Sequence, residues 1–573
     1  MLCEYPKRGT RGFPTWGKKA ILSVAAAVSA IVSVAGDMPR KKVIAHGWDL
    51  LSASTEDVYR NREKFAQTGY DGIAMPLDAR DAAGRRHPGR WIVNCASCCD
   101  ADFAESVKLV RECVRCKGLG WSFGFMNWSP EKRKSWSDDA AWEAMAKVVG
   151  AYARAARQAG LKGLIIDHEN YSAESQFELL PADGDYVATA AKARARGRQM
   201  FSEVFREFPD ATILSFWLFA WSFDMNRSPD PSGVEEAFGD LWGPFLNGML
   251  DVLPSTIRLV DGNESMGYRA VERRDFAAAY WECTRPVLHR IAPENREKYL
   301  RALSVGFGLF LDGAKPSAKG SPWDAGELGG SRTAKFFDKI IEAVRVADEF
   351  VWIYGERGQL IDWDRTAGWG VKRLKSSPLW EDALPGLACA CRAAVGDTEG
   401  YAEAVKRAGW SLTNVIENSA CCSMDANAIP KPYRTYTALT NPPSALFAFD
   451  AVDGARAPGC LRLLDNRGTF TVRARDLKPG DIVRVVLSMK GVGASVVVAW
   501  QKDGNWNWKL GRTYLAAKAG TKPDEWGRTG AFFVVPDGAN GLGISMGGKI
   551  KGCGPLKFDD ICVFRKQKQG EKP

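Results

Sequence analysis

From residue 42 onward, short apolar runs alternate with longer stretches in which apolar side chains recur every three to four positions. The short runs fall at 43–45, 72–75, 121–125, 163–166, 212–219, 257–260, 305–311 and 350–354. They are strand-like, and their alternation with helical stretches is the signature of a parallel α/β fold. The helical pattern between them is clearest at 56–67, 104–116, 140–159, 188–208 and 331–347. Eight strand-then-helix units in succession predict a (β/α)8 TIM barrel over 40–420, an α/β fold. No Gly-x-Gly-x-x-Gly follows the first strand, which tells against a doubly wound open sheet. The span exceeds the ~250 residues usual for a barrel, and the surplus lies in segments after strands, such as 76–100 and 222–233. Loops so placed build the walls of a site.

At 441 the rhythm changes. Runs at 444–449, 468–474, 482–489, 494–501, 529–535, 542–546 and 557–564 are strand-like, with turn residues such as Lys478-Pro479-Gly480-Asp481 and Asp503-Gly504 between them. No helical stretch interrupts. This predicts an all-β unit at 441–566, an antiparallel β-sandwich of jelly-roll type, with 421–440 as the junction. No Pro- or Ser-rich linker separates the halves, so they are expected to pack together. Trp506 and Trp508 flank Asn507 and share one face of a strand, where they either fill the sandwich core or form a flat platform for a ligand.

Composition refines this only in places. With 46% hydrophobic and 25% charged residues, the chain is globular and not disordered or collagen-like. Trp is the outlier at 21 copies; such rings suit flat, partly apolar partners, sugars among them, as well as a large core. The formal net charge of +10 includes Lys7, Arg8, Arg11, Lys18 and Lys19, and no Lys/Arg run forms a nucleic-acid stripe. No nucleic-acid partner is expected. Lys18-Lys19, an apolar run from Ala20 to Val34 and the exit Ser33-Val34-Ala35 read as a signal peptide over 1–35. The mature chain would start near Gly36, secreted or periplasmic. The run is shorter than the ~20 residues of a membrane span, so no stable insertion is expected after cleavage.

Fourteen cysteines fit an oxidising compartment. Cys95, Cys98, Cys113 and Cys116 give C-x2-C-x14-C-x2-C, near a zinc-ribbon spacing. The helical pattern at 102–117 instead puts Cys113 and Cys116 one turn apart on a helix, and Cys99 adds a thiol that a zinc knuckle does not use. Local disulfides or buried thiols are expected there, and no metal or cofactor is assigned.

In a barrel the loops after the strands converge on one mouth, so chemistry is sought at the C-terminal strand ends. There the chain reads Asp167-His168-Glu169 after the fourth run, Asp261-Gly262-Asn263-Glu264 after the sixth, Asp312 after the seventh and Glu356 after the eighth. His46-Gly47-Trp48-Asp49 follows the first. A lone carboxylate after a strand usually caps a loop. Several at one mouth repel each other, and such a cluster persists where a metal, a cationic substrate or acid/base chemistry uses it. Glycoside hydrolysis is chemistry of that kind: one carboxyl holds a proton for the leaving oxygen and another acts ionised, as nucleophile or base. Glu169 and Glu264 are the expected working pair, with Asp167 tuning Glu169 from the same strand face and Glu356 as alternate partner. His46, Trp48, Trp128, Trp221, Asp312 and Trp352 are expected to bind substrate around them, and Trp363 falls near the same strand ends. His168 points away from its acidic neighbours, toward a core or supporting role.

The picture of strand ends, acids and rings resembles the (β/α)8 glycoside hydrolases. Gly163, Asp167 and Glu169 match part of the fourth-strand motif of chitinase-like enzymes, Asp-Gly-x-Asp-x-Asp-x-Glu, while Lys162 and Ile165 stand where its first two Asp residues belong. No Met-x-Tyr-Asp follows on strand six. The resemblance implies Asp167 as an orienting carboxylate and Glu169 as general acid. Leu477-Lys478-Pro479-Gly480-Asp481, the run 496–501 and Phe558-Asp559-Asp560-Ile561 are similar to carbohydrate-binding jelly-roll modules, whose closing strand commonly carries an Asp-Asp pair. The expectation is an exported hydrolase acting on a polysaccharide or oligosaccharide. Two other readings stay open: a non-catalytic polysaccharide-binding surface protein, and a metal-dependent carbohydrate deacetylase.

Overall fold

The structure, a computed structural model, describes residues 40–95, 97–221, 230–365, 370–421, 428–516, 524–548 and 555–568. The expected signal peptide lies outside the described residues. No helix among them is long and apolar enough to cross a membrane.

The apolar runs become nine parallel strands: β1 (Lys42–Gly47), β2 (Gly72–Met75), β3 (Phe123–Asn127), β4 (Gly163–Asp167), β5 (Thr212–Ser215), β6 (Arg258–Asp261), β7 (Leu303–Val305), β8 (Phe307–Phe310) and β9 (Phe350–Gly355). Their hydrogen-bonded order is β8-β9-β1-β2-β3-β4-β5-β6-β7. The strands at the two ends of that order are consecutive in sequence, with Gly306 alone between them, so the sheet returns on itself and is nearly barrel-shaped. The single run expected at 305–311 is thus divided, and the Gly306 N–H reaches the Asp261 carbonyl at 2.8 Å.

The strand period of two sorts the side chains into two sets. Ile44, Ala74, Phe123, Phe125, Ile165, Leu214, Val260 and Trp352 form an inner cluster. Their neighbours Val43, Ala45, Ile73, Met126, Leu164, Ile213, Leu259 and Ile353 join the outer core with the helices. Both faces are therefore buried, which is why these strands read as continuous apolar runs. At the start of β4 only glycine fits: Gly163 has φ +155°, and a Cβ there would stand 1.8 Å from the Thr212 carbonyl oxygen.

Helices Asp139–Gln158, Tyr186–Glu207 and Arg332–Val346 cover the sheet. Each is started by a side-chain cap, from Asp138, Asp185 and Ser331 respectively, worth about 1 kcal/mol apiece.

The second half is a pair of antiparallel sheets of six strands each, with Phe470, Val472, Val485, Leu487, Val496, Ile544, Met546 and Phe558 packed between them. Gly468–Ala474 alternates strictly between buried and half-buried positions, as a strand with one face inward must. The sandwich starts earlier than expected. Trp410–Asn414 pairs with the closing strand Leu556–Lys568, and Arg434–Thr437 pairs with Gly468–Ala474, so the anticipated junction contains sheet. The Asp559-Asp560 pair sits at a bulge in the closing strand, where the register against Ile482–Lys490 shifts and Asp560 takes φ +50°. Asp559 there accepts the Ala455 N–H, while Asp560 pairs with Arg456 and Arg528.

The halves pack together. The Arg345 guanidinium donates to the Phe532 carbonyl at 2.8 Å, the Tyr401 ring lies 4.8 Å from that of Phe532, and the Gly329 N–H donates to Asp537.

Candidate active site

The inward parity of the strands runs on to their C-terminal ends, where it selects His46, Phe125, Asp167, Phe216 and Tyr354. All five line one cavity of about 320 Å³. Its floor is Trp352, whose indole N–H donates to the Gly262 carbonyl at 2.8 Å and whose ring stacks on Phe216 at 4.3 Å. Residues beyond the strand ends complete the wall: Trp48, Arg90, Glu169, Tyr171, Glu264, Tyr268, Trp323 and Glu356.

The cavity holds the expected acids. Asp167 is fully buried at the end of β4; its Oδ1 accepts the Glu169 N–H at 2.8 Å, and its Oδ2 faces the Asn127 amide at 3.2 Å and the Tyr171 hydroxyl at 3.1 Å. Burial first, and then the Glu169 charge, push the Asp167 carboxyl up to about 7. Glu264 opens the short helix Glu264–Arg269 just beyond β6. Burial, reinforced by the Glu169 charge, holds its carboxyl well above the ordinary range. Its Oε2 is enclosed, as is the Tyr268 hydroxyl in the same wall, and among the described residues neither makes a hydrogen bond of good geometry. Glu264 therefore keeps a proton to higher pH than a free glutamate would, the state a general acid requires.

The other strand-end acids are structural anchors. Asp49 accepts the N–H groups of Leu50 and Leu360 and the Trp363 indole, tying the end of β1 to the segment after β9. Asp261 accepts the Asn263 N–H at 3.0 Å, which holds the turn that delivers Glu264. Asp312 does not line the cavity; its Oδ2 accepts the Glu356 N–H at 2.7 Å and so positions a residue that does.

The expected rings divide likewise. Trp48 and Trp352 line the cavity, whereas Trp128 is buried in the outer core, stacked on Phe201 at 4.7 Å, and contributes nothing to the mouth. Its outward side follows from parity, since it stands two residues beyond the outward Met126. Trp363 is buried as the partner of Asp49. Trp221 lies in a short 3-10 turn, and its side chain is outside the described residues. His46 sits among Phe125, Phe216 and Tyr354, and burial lowers its pKa to about 3, so it meets a ligand as neutral imidazole. His168 faces the outer core, stacked 4.2 Å from Trp242.

Arg90, Tyr171, Tyr268 and Trp323 were not picked out by strand-end reasoning. Arg90 lies in the 3-10 turn Gly89–Asn94, steadied at its start by Asp78, which takes the Gly89 N–H and pairs with Arg86, and followed by the Cys95–Cys98 disulfide. That disulfide replaces the zinc-ribbon arrangement. Cys113 is a buried free thiol at the end of helix Ala104–Cys113, and Cys116 faces Glu63.

In the sandwich, Trp506 and Trp508 stack with centroids 5.2 Å apart and planes 8° from parallel. They are not core. Trp508 is 57% exposed, and Trp506 is half-buried over Gly543, where a Cβ would meet its ring at 2.3 Å.

No protein-family model and no curated protein matches the chain. Among solved structures, it is similar to the enzymatically active domain of bacteriophage CBA120 tailspike protein 4, with 13% identity over 27% of this chain and 19% of that one and a TM-score of 0.17. It is similar to the CBM22-1–GH10 modules of Clostridium thermocellum endo-1,4-beta-D-xylanase 10B, with 15% identity over 27% of this chain and 29% of that one and a TM-score of 0.20. It is also similar to the CBM22-1 xylan-binding domain of Paenibacillus barcinonensis Xyn10C, with 8% identity over 27% of this chain and 94% of that one and a TM-score of 0.21. The chain spans less than a third of the first two proteins, and likenesses at this level carry no argument for fold or function.

Proposed function

We propose that the chain is an exported glycoside hydrolase acting on a polysaccharide or oligosaccharide at the 320 Å³ cavity, with the nearly closed sheet serving as a (β/α)8 barrel and the sandwich as a jelly-roll sugar-binding module. The observation that carries this reading is the meeting of Glu169 and Glu264, from the ends of β4 and β6, in one cavity floored by Trp352. Burial that keeps Glu264 protonated suits it to protonate the leaving oxygen. Glu169, receiving the Tyr171 hydroxyl, is the ionised partner that attacks the anomeric carbon or activates a water against it. The chitinase-like resemblance would make Glu169 the acid; the deeper burial of Glu264 supports the reverse assignment. Asp167, carrying a proton near neutral pH, reduces the repulsion that Glu169 meets. Trp48, Trp352 and His46 offer ring faces to a pyranose, in the manner expected of aromatic sugar contacts.

Release of reducing ends from a polysaccharide panel, measured with the secreted chain and with Glu264→Gln, tests this. Turnover on at least one glycan, abolished by the substitution, is expected; no turnover on any of them would leave a binding protein.

A further inference from the structure

We infer that the substrate is an acidic glycan, and that Arg90 holds its uronate carboxylate or sulfate ester in the trough beside the reaction cavity. This rests on the reading of that cavity as a sugar site. The trough measures about 1030 Å³ and shares Trp48, Leu51, Arg90 and Tyr171 with the smaller cavity, so the two are one continuous cleft. Their linings differ. Asp167, Glu169, Glu264 and Glu356 line the reaction end, whereas five arginines and only two carboxylates line the trough.

Four of those arginines are already committed. Arg80 pairs with Glu56 at 2.7 Å, Arg86 with Asp78 at 2.7 Å, and Arg60 and Arg365 share Asp57 at 2.5 and 3.1 Å. Arg90 is not. Among the described residues, no carboxylate oxygen comes within 4.0 Å of its guanidinium and no hydrogen bond reaches it, although its Nε is fully enclosed. Two rings hold it instead: the guanidinium lies 4.5 Å from the Trp91 centroid and 5.2 Å from that of Tyr171. A guanidinium held against two aromatic rings, with its terminal donors unspent, can take a planar or tetrahedral oxyanion by paired hydrogen bonds.

The position of Arg90 also sets the order of binding. It stands where the two cavities meet, so an anionic ring that it holds sits in the trough and the ring whose bond is cleaved is its neighbour in the reaction cavity.

Affinity electrophoresis of the full chain in gels carrying paired neutral and acidic polysaccharides tests this, with galactan against polygalacturonate and xylan against glucuronoxylan for carboxylates, and agarose against carrageenan for sulfate. Variants Arg90→Ala and Arg90→Lys are run beside the wild type, with Arg274→Gln as a distant loss of the same charge. At least tenfold stronger retention by the acidic member of a pair is expected, with the responding pair identifying carboxylate or sulfate. Arg90→Ala should abolish the preference, Arg90→Lys keep part of it and Arg274→Gln keep all of it. Equal retention within every pair, no retention at all, or a preference that survives Arg90→Ala would overturn the inference. Turnover of the same panel separates the two claims. Acid-selective retention without hydrolysis keeps Arg90's role and removes the hydrolase reading, and hydrolysis confined to neutral glycans does the opposite.

Discussion

The Tyr171 hydroxyl lies 2.5 Å from Oε2 of Glu169, on a loop that carries both residues beyond the end of β4. The phenol donates to the carboxylate and so fixes the orientation of the Glu169 side chain in the cavity. The same ring lies 5.2 Å from the Arg90 guanidinium, so Tyr171 touches residues of both cavities.

Removing either member of the pair should be nearly silent for folding and severe for turnover. Glu264→Gln and Glu169→Gln are each expected to lower kcat by about 10²–10⁴-fold, the usual contribution of a positioned acid or base. Melting temperatures should remain near that of the wild type. Tyr171→Phe should cost less, since it removes one hydrogen bond and leaves the carboxylate in place. Near-normal rates in both Gln variants would remove the two-carboxylate mechanism.

Asp261 supplies a pH test outside the cavity. Burial raises its carboxyl from 3.8 to about 7, with the Asn263 N–H acting in the opposite direction. The folded state then binds more protons than the unfolded one across this interval, so the group's contribution is fully present below pH 4 and is lost as pH rises toward 7. Asp261→Asn keeps an acceptor for the Asn263 N–H without the buried charge. Urea unfolding should show it equal to the wild type near pH 4 and more stable at pH 8, the gap opening by at most roughly 1.4 kcal/mol for each pH unit crossed. A constant difference at both pH values would contradict this sign.

The stacked indoles of the sandwich should separate by role. Trp508→Ala is expected to leave thermal stability almost unchanged and to weaken retention on polysaccharide, because its ring is exposed. Gly543→Ala should displace Trp506 through the 2.3 Å clash and weaken retention too, leaving Trp508 itself intact. Loss of the fold in Trp508→Ala would mark the ring as structural.

Phe532 joins the two halves, packed against Tyr401 and accepting from Arg345 through its carbonyl. Phe532→Ala should cost about 3–5 kcal/mol at this contact. Differential scanning calorimetry should then resolve two transitions where the wild type shows one. A single transition, shifted or not, would mean that the halves are coupled elsewhere.

The strands were legible because each kind has its own pattern. Parallel strands buried on both faces read as the continuous apolar runs of Ile44 or Leu164, and sandwich strands read as the alternation of Gly468–Ala474. The sequence alone also places Asp167, Glu169 and Glu264 at strand ends. Parity alone would have turned Trp128 outward, two positions past Met126, a local rule that needs no tertiary contact. Which acids line the cavity and which anchor the strand ends was decided only by the fold. Asp49 and Asp312 have the same strand-end position as Glu264, yet each is taken up by backbone N–H groups that arrive from segments distant in the chain: Leu360 for one and Glu356 for the other. Arg90 and Tyr171 were hidden for a related reason. They lie beyond the strands, where the period of two no longer relates a residue's position to the direction of its side chain, and they meet because β2 and β4, whose following segments carry them, flank β3 in the sheet.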